Sequence, residues 1–424
     1  MTKRHTIEKL FTLAFFLLSL LILAGFIPVR LPLLAAAAES VLRNAGADSA
    51  SVGAVSVTLW TGLQVREVST YKRINDKGDA YRTDIARADI SCNLFAAAAA
   101  LAANRDMLKA DRDVFREAYE KPIELVGEIC GGAASLRPLK RIALRGADAR
   151  LTSKGKPGIS ATGAEITLAR KKGRALAGNI SAKEAAVPSL AKVEGFSIKL
   201  STNNEKLDLA NGSGTVFGGK LQIDLSVDIK NSKIISGSVS LRGLDLEKYC
   251  AGTNFSPGAI AGKFDFEAKA EPNSPIALDK LKAKGRAAVA NLTAADIALQ
   301  KTQAVNQLSR DLRLLRFSAV KGDFRVHSGR FNFSEIAGTG NVLKFKSAGW
   351  VAFDGKLSQD LDGEFSKDFV ATLPRLVRGS LERTEEEGGA FKCKITGTFH
   401  KPKVEVDKSV YDRALGGFFK NLFK

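Results

Sequence analysis

From Gly218 to Lys230 the chain reads GGKLQIDLSVDIK, with Leu221, Ile223, Leu225, Val227 and Ile229 at every second position and Gln222, Asp224, Ser226 and Asp228 between them. Successive side chains of a strand point to opposite faces, so this period of two predicts a half-buried β-strand with one aliphatic side. The pattern is not isolated. SVGAVSVTLWTGLQVREVSTYKR reads as two short strands around Thr61-Gly62, and AYRTDIARADISCNL as a third. From Leu139 to Glu405 strand-like segments alternate with clusters of Gly, Asn, Asp and Ser at intervals of roughly ten residues, the spacing of an antiparallel architecture. Roughly twenty strands side by side, at about 4.8 Å each, would extend on the order of 95 Å. Sheets of that size curl, close or split, so a barrel, a pair of sandwiches and a long curved sheet with a filled concave face are the three ways to cover the aliphatic side.

Helical periods interrupt the alternation in a few places. Leu10 to Val29 (LFTLAFFLLSLLILAGFIPV) is an uncharged run long enough to cross a bilayer as a helix. Lys3, Arg4 and Lys9 precede it, which places the N-terminus in the cytoplasm and the remaining chain across the membrane. A cleaved signal peptide is the rival reading, with Ala35 to Ala38 as small residues for a peptidase. The retained anchor is favoured because the run exceeds a usual signal core, and because Pro32 and Gly46 mark the start and stop of a further helix. Phe95 to Glu120 combines an alanine run with a charged half and contains neither Gly nor Pro, which predicts a helical insert ended by Lys121-Pro122. Asn291 to Arg316 reads as mixed loop and helix. The last segment, SVYDRALGGFFKNLFK, puts Tyr411, Leu415, Phe418, Phe419, Leu422 and Phe423 on one helical side and Asp412, Arg413, Lys420 and Lys424 largely opposite. That is a basic-tipped amphipathic helix, suited either to a membrane interface or to capping the sheet. The expected division is a cytoplasmic N-terminus over 1–9, a transmembrane helix over 10–29, a first β-region over 30–138 with its insert at 95–120, a central region over 139–290, the mixed segment 291–316, a C-terminal β-region over 317–407 and the helix 408–424.

The chain has 424 residues, a hydrophobic share of 45% and a formal net charge of +19, so a folded protein with an affinity for anionic partners is expected. An exported chain directs that charge toward phospholipid head groups and away from nucleic acid. Four cysteines allow three pairings. A Cys92–Cys130 bridge would close the helical insert and leave Cys250 with Cys393, while four buried thiols are the other reading. Catalytic chemistry is thin. His5, His327 and His400 stand alone, and no Cys-x-x-Cys occurs. GSGTVFGG at Gly212 to Gly219 resembles a phosphate loop but leads into a strand where such a loop needs a helix, so it reads as a turn. Asp360 and Asp362 alternate with Leu361 as strand-edge residues do, and Glu385 to Glu387 form a solvated loop. No enzyme activity, cofactor or metal is expected.

Three segments carry a likeness to a known family: SVTLWTGLQVREVST with IARADISCNLF, VFGGKLQIDLSVDIK with ISGSVSLRGLDLEKY, and GDFRVHSGRFNFSEIAGTGNVLKFKSAGWVAFDGKLSQDLDGEF closed by GTFHKPKVEV. In these the chain resembles the AsmA-like envelope proteins, over about half its length. The resemblance implies an N-terminal inner-membrane helix and a periplasmic body made of an elongated, curved antiparallel sheet, a repeating β-groove whose apolar inside carries phospholipid acyl chains between membranes. Leu221, Ile223, Leu225, Val227 and Ile229, with Phe264 and Phe266 in GKFDFEAKA and Phe331 and Phe333 in SGRFNFSE, are then the groove-lining candidates. Leu415, Phe418, Phe419, Leu422, Phe423, Lys420 and Lys424 are the membrane-interface candidates. Phospholipid and other envelope proteins are the partners it implies, with a role in lipid transport or outer-membrane homeostasis. The family offers no catalytic residues to carry over, and the 95–120 insert departs from its pattern. A scaffold of outer-membrane biogenesis, with the same aliphatic side packed as core, is the alternative. An outer-membrane barrel fits poorly, since its strands carry aromatic girdles and do not follow a retained helix.

Overall fold

The computed structural model describes residues 29–406 apart from 93–138, 253–258, 296–311 and several short loop stretches. The predicted helices over 10–29 and 95–120 and the C-terminal helix lie outside the described residues, except that Val29 is a strand residue. Among the described residues no helix is long and apolar enough to cross a membrane.

The chain forms two compact units, one of residues up to Pro188 with Glu194–Leu209, the other of Ser189–Val193 with the chain from Ala210 onward. The division falls inside a strand, away from the 138/139 and 290/291 boundaries read from the sequence, because the alternation continues across it without a change in composition. Unit one contains β1 (Val29–Arg30), β2 (Ser49–Thr58), β3 (Gly62–Arg73), β4 (Ala80–Cys92), β5 (Leu139–Ser153), β6 (Lys156–Arg170) and β7 (Leu176–Val187). Each pairs antiparallel with the next. β8 (Ala191–Thr202) and β9 (Lys206–Val216) carry the chain onward.

The apolar side of unit one is set by register. Val55 pairs with Val65, Val65 with Ala88, Ala88 with Leu144, Leu144 with Ile166 and Ile166 with Ile180, one row across six strands. Helix α1 (Pro32–Asn44) covers its first part, packing Leu34, Ala35, Ala38 and Leu42 against Val52, Val55, Val65 and Val68. As predicted, Pro32 starts α1 and Gly46 stops it: Gly46 has φ +104°, its N–H donates to Arg43 at 2.9 Å, and Ala47 N–H donates to Leu42 at 3.1 Å, a Schellman closure. The Glu39 carboxylate accepts from the Val52 N–H at 2.9 Å, which ties α1 to β2.

Unit two is a second meander. After β9 come β10 (Gly219–Asp228), β11 (Lys233–Asp245), β12 (Ala259–Ala270), β13 (Ser274–Pro275), β14 (Ala283–Ala295), β15 (Leu314–His327), β16 (Arg330–Gly340), β17 (Leu343–Ala352), β18 (Lys356–Phe365), β19 (Glu382–Arg383), β20 (Gly389–Thr398) and β21 (Lys401–Val406). The long strands pair antiparallel in the order β10, β11, β12, β14, β15, β16, β17, β18, β20, β21, while β13 and β19 are short additions to β11 and β20. Helix α2 (Leu246–Gly252) follows β11, and α3 (Lys367–Thr372) follows β18, its N-cap Ser366 accepting from the Phe369 N–H.

Asn291–Ala295 and Leu314–Arg316, read as part of a mixed loop and helix, extend β14 and β15; Asn291 breaks the alternation because it sits at positive φ (52°) beside a register shift. GSGTVFGG is strand up to Val216, and the turn is only Phe217-Gly218, whose φ values of 46° and 81° make a two-residue hairpin of the type that matches strand twist. Asp360 and Asp362 belong to a central strand, β18, where they face Lys394 and Lys392 of β20.

Candidate functional site

The candidate groove residues are brought onto one side of unit two by the ladder register. In β10, Leu221, Ile223 and Leu225 are half-buried and pair with Leu241, Val239 and Gly237 of β11. The next strands continue the rows: Leu241 pairs with Phe266, Phe266 with Ala287, Val239 with Ala268, Ala268 with Gly285, Gly285 with Phe324 and Phe324 with Phe333. Directly paired residues share a face, so Leu221, Ile223, Leu225, Phe264, Phe266, Phe331 and Phe333 all belong to it. Val227 pairs with Ile234 across a bulge at Ile235 and is almost fully buried, at 1% exposure. Ile229 lies past the end of β10, in the turn to β11, because the strand stops at Asp228, whose carboxylate accepts from the Asn231 backbone and side chain.

The residue that organises this side is Phe324 of β15, which was not among the candidates. It is 3% exposed and its ring meets Phe266 at 5.3 Å, Phe331 at 5.3 Å and Phe333 at 5.9 Å between centroids. Phe264 extends the series along β12, stacked on Phe266 at 6.3 Å, and Phe353 extends it past the end of β17, 5.2 Å from Phe331. The rings bend over glycines. A Cβ at Gly285 would come within 2.6 Å of the Phe324 ring, and one at Gly338 or Gly363 would run into Phe345 or Phe391. Glycine is therefore required opposite these rings, which lie down on the sheet and shield backbone that would otherwise be wet. The available signal was the alternation of Phe324 and Val326 with Arg325 and His327 in GDFRVH.

Toward β17, β18 and β20 the same side changes character. Phe365 and Phe391 stack at 4.7 Å, and Phe369 of α3 with Leu373 at its C-cap packs with them and Val342, closing that part into a core. Two polar groups interrupt the apolar rows. Ser347 and Gln359 are both buried, the Ser347 hydroxyl donates to Gln359 Oε1 at 3.0 Å, and the Gln359 amide nitrogen has no hydrogen-bond partner among the described residues. Cys393, paired with Leu361 on this side, has its thiol pushed up to about 11, by burial first and by the Asp362 charge second.

The opposite side is charged and exposed. A depression of about 740 Å³ lies over β12, β14, β15 and β16, and most of its lining, including Lys269, Lys284, Arg286, Asp323, Arg325 and His327, belongs by alternation to this polar side.

Among the described residues no three of His, Cys, Asp and Glu are grouped to hold a metal ion. Cys92, Cys250 and Cys393 are free thiols; Cys130 lies outside the described residues, as do Leu415, Phe418, Phe419, Leu422, Phe423, Lys420 and Lys424. No protein-family model, no curated protein and no solved structure matches the chain.

Proposed function

We propose that this chain is a membrane-anchored envelope protein that holds phospholipid acyl chains on the apolar side of its β-sheet and contributes to lipid transport or outer-membrane homeostasis, as its resemblance to the AsmA-like proteins implies. The observation that carries the reading is the in-register apolar face from Leu221 to Phe333. Phe324 and Ala268 are buried within it, but Leu221, Ile223, Leu225, Phe264, Phe266, Phe331 and Phe333 are only half-buried, whereas a finished core would bury them fully. An acyl chain laid along such a face loses water at about 0.8 kcal/mol per buried CH₂. In this reading the run 10–29 anchors the chain in the inner membrane with its body in the periplasm, and the C-terminal amphipathic segment meets a membrane surface or an envelope partner.

Native mass spectrometry with lipid extraction, on the full chain purified from a membrane fraction, tests the proposal. Phospholipid near one-to-one stoichiometry is expected in the parent and its loss in Leu225→Asp, with cooperative unfolding retained. A parent that purifies without lipid and still unfolds cooperatively would overturn the reading. The aliphatic side would then be core, already closed at one end by Phe369 and Leu373, and a scaffold would be the better description.

A further inference from the structure

The polar side of unit two contains a row of cations that the ladder places directly opposite one another. Lys269 of β12 pairs in register with Lys284 of β14, and Lys284 pairs with Arg325 of β15. All three are exposed and none has a carboxylate partner among the described residues. Like charges at directly opposed positions destabilise a sheet. The row meets uncharged residues at both sides, Ser238 and Asn332; the next residue in register beyond Ser238 is Asp224, two strands from Lys269 and already accepting from the Asn211 N–H at 2.7 Å.

The neighbouring strands show the ordinary solution. Over β17, β18 and β20 the register alternates sign, Lys346 against Asp362 against Lys392, and Asp360 against Lys394, with ion pairs of 3.6 Å for Lys392–Asp362 and 3.9 Å for Lys394–Asp360. Unit one has its own row of like charge, Arg66, Arg87 and Arg145, but there Asp89 lies two residues along the strand and takes Arg87 at 2.9 Å. The row beside Lys269, Lys284 and Arg325 is Glu267, Arg286 and Asp323, in which Arg286 takes Asp323 at 3.0 Å; no ion pair joins Glu267 or Asp323 to the three cations. The unopposed row also borders the depression of about 740 Å³.

We propose that this row is a binding site for a ligand bearing phosphate-class oxyanions. Three cations on adjacent strands span about two strand spacings, roughly 10 Å, which suits two anionic groups held between successive pairs and exceeds what a single phosphate can bridge. The ligand supplies the anionic partners that these three cations do not find among the described carboxylates. This site is on the other side of the sheet from the proposed acyl-chain face and stands independently of it.

The test uses the full chain held in a neutral amphipol and two probes, pyrophosphate in solution followed by calorimetry, and vesicles of phosphatidylglycerol compared with phosphatidylcholine followed by co-sedimentation. The variant is Lys269→Ala with Lys284→Ala, and the control is Lys392→Ala with Lys394→Ala, which removes the same charge from the same side but from lysines that already have aspartates. Binding of pyrophosphate weakened about tenfold or more in the first variant and little changed in the control supports a site for a soluble ligand. The same pattern with phosphatidylglycerol vesicles alone supports a lipid-borne one. Absence of binding to both probes, or equal loss in the two variants, would overturn the proposal, since net charge and not the row would then be the cause.

Discussion

Phe324 shows what one residue decides. Its ring is the shared neighbour of Phe266, Phe331 and Phe333 and covers Gly285, so removing it opens a void that four strands line together. Phe324→Ala is expected to cost about 3–5 kcal/mol, the range for deleting a buried phenylalanine, read as a lowered urea midpoint at unchanged slope. Phe331→Ala should cost less, because that ring is only half-buried. The repeated F-x-F pairs at Phe264/Phe266 and Phe331/Phe333 were legible as an apolar side. Phe324 was equally visible in the alternation of its own strand, but nothing local distinguishes it from other apolar positions. Its weight comes from lying between the two pairs once β12, β14, β15 and β16 are neighbours.

At the scale of elements, a single device recurs at three places in the sheet. Gly163, Asn211 and Gly243 each sit at positive φ (59°, 53° and 71°) within a strand, and each donates its backbone N–H to an aspartate on an adjacent strand, Asp148, Asp224 and Asp265, at 2.7 Å. At Gly243 the register slips between Leu241 and Leu244, so the bulge keeps both leucines on the apolar side while the strand bends. The extra residue leaves an N–H without a ladder partner, and the carboxylate supplies one. Asp265→Ala should cost about 1 kcal/mol, at the low end for a charge-assisted bond because the site is exposed, and should speed hydrogen exchange at the Gly243 amide while Asp265→Asn restores part of the protection. The alternation gave the strands and their turns, including the end of α1 at Gly46. It gave no bulges, because aspartate and glycine more than ten residues apart carry no local mark of their partnership.

For the molecule as a whole, acid stability follows from aspartates in both units. Arg82, then Ser69, hold Asp84 below the ordinary carboxylate value of 3.8; Lys263 lowers Asp245, Asn231 lowers Asp228 and Lys356 lowers Asp354. A carboxylate whose folded value lies below its unfolded value contributes stability fully above the unfolded value, and loses it as pH falls through the folded one. Urea midpoints are therefore expected to change little with these groups from pH 7 to 5 and to fall below about pH 4, and Asp84→Asn combined with Asp245→Asn should flatten that fall.

What the sequence determined by itself is local: a mainly β chain, one aliphatic side per strand, turns at glycine-rich clusters and a short helix from Pro32 to Gly46, because a period of two and a cap are written in neighbouring residues. The tertiary structure decided which strands adjoin and in what register, and a slip of one residue would send a whole side chain row to the other face. That choice assembled Phe264, Phe266, Phe324, Phe331 and Phe333 into one apolar surface, and set Lys269, Lys284 and Arg325 in line behind it. Both arrangements join residues from separate strands, and only the hydrogen-bonded ladder fixes their distance.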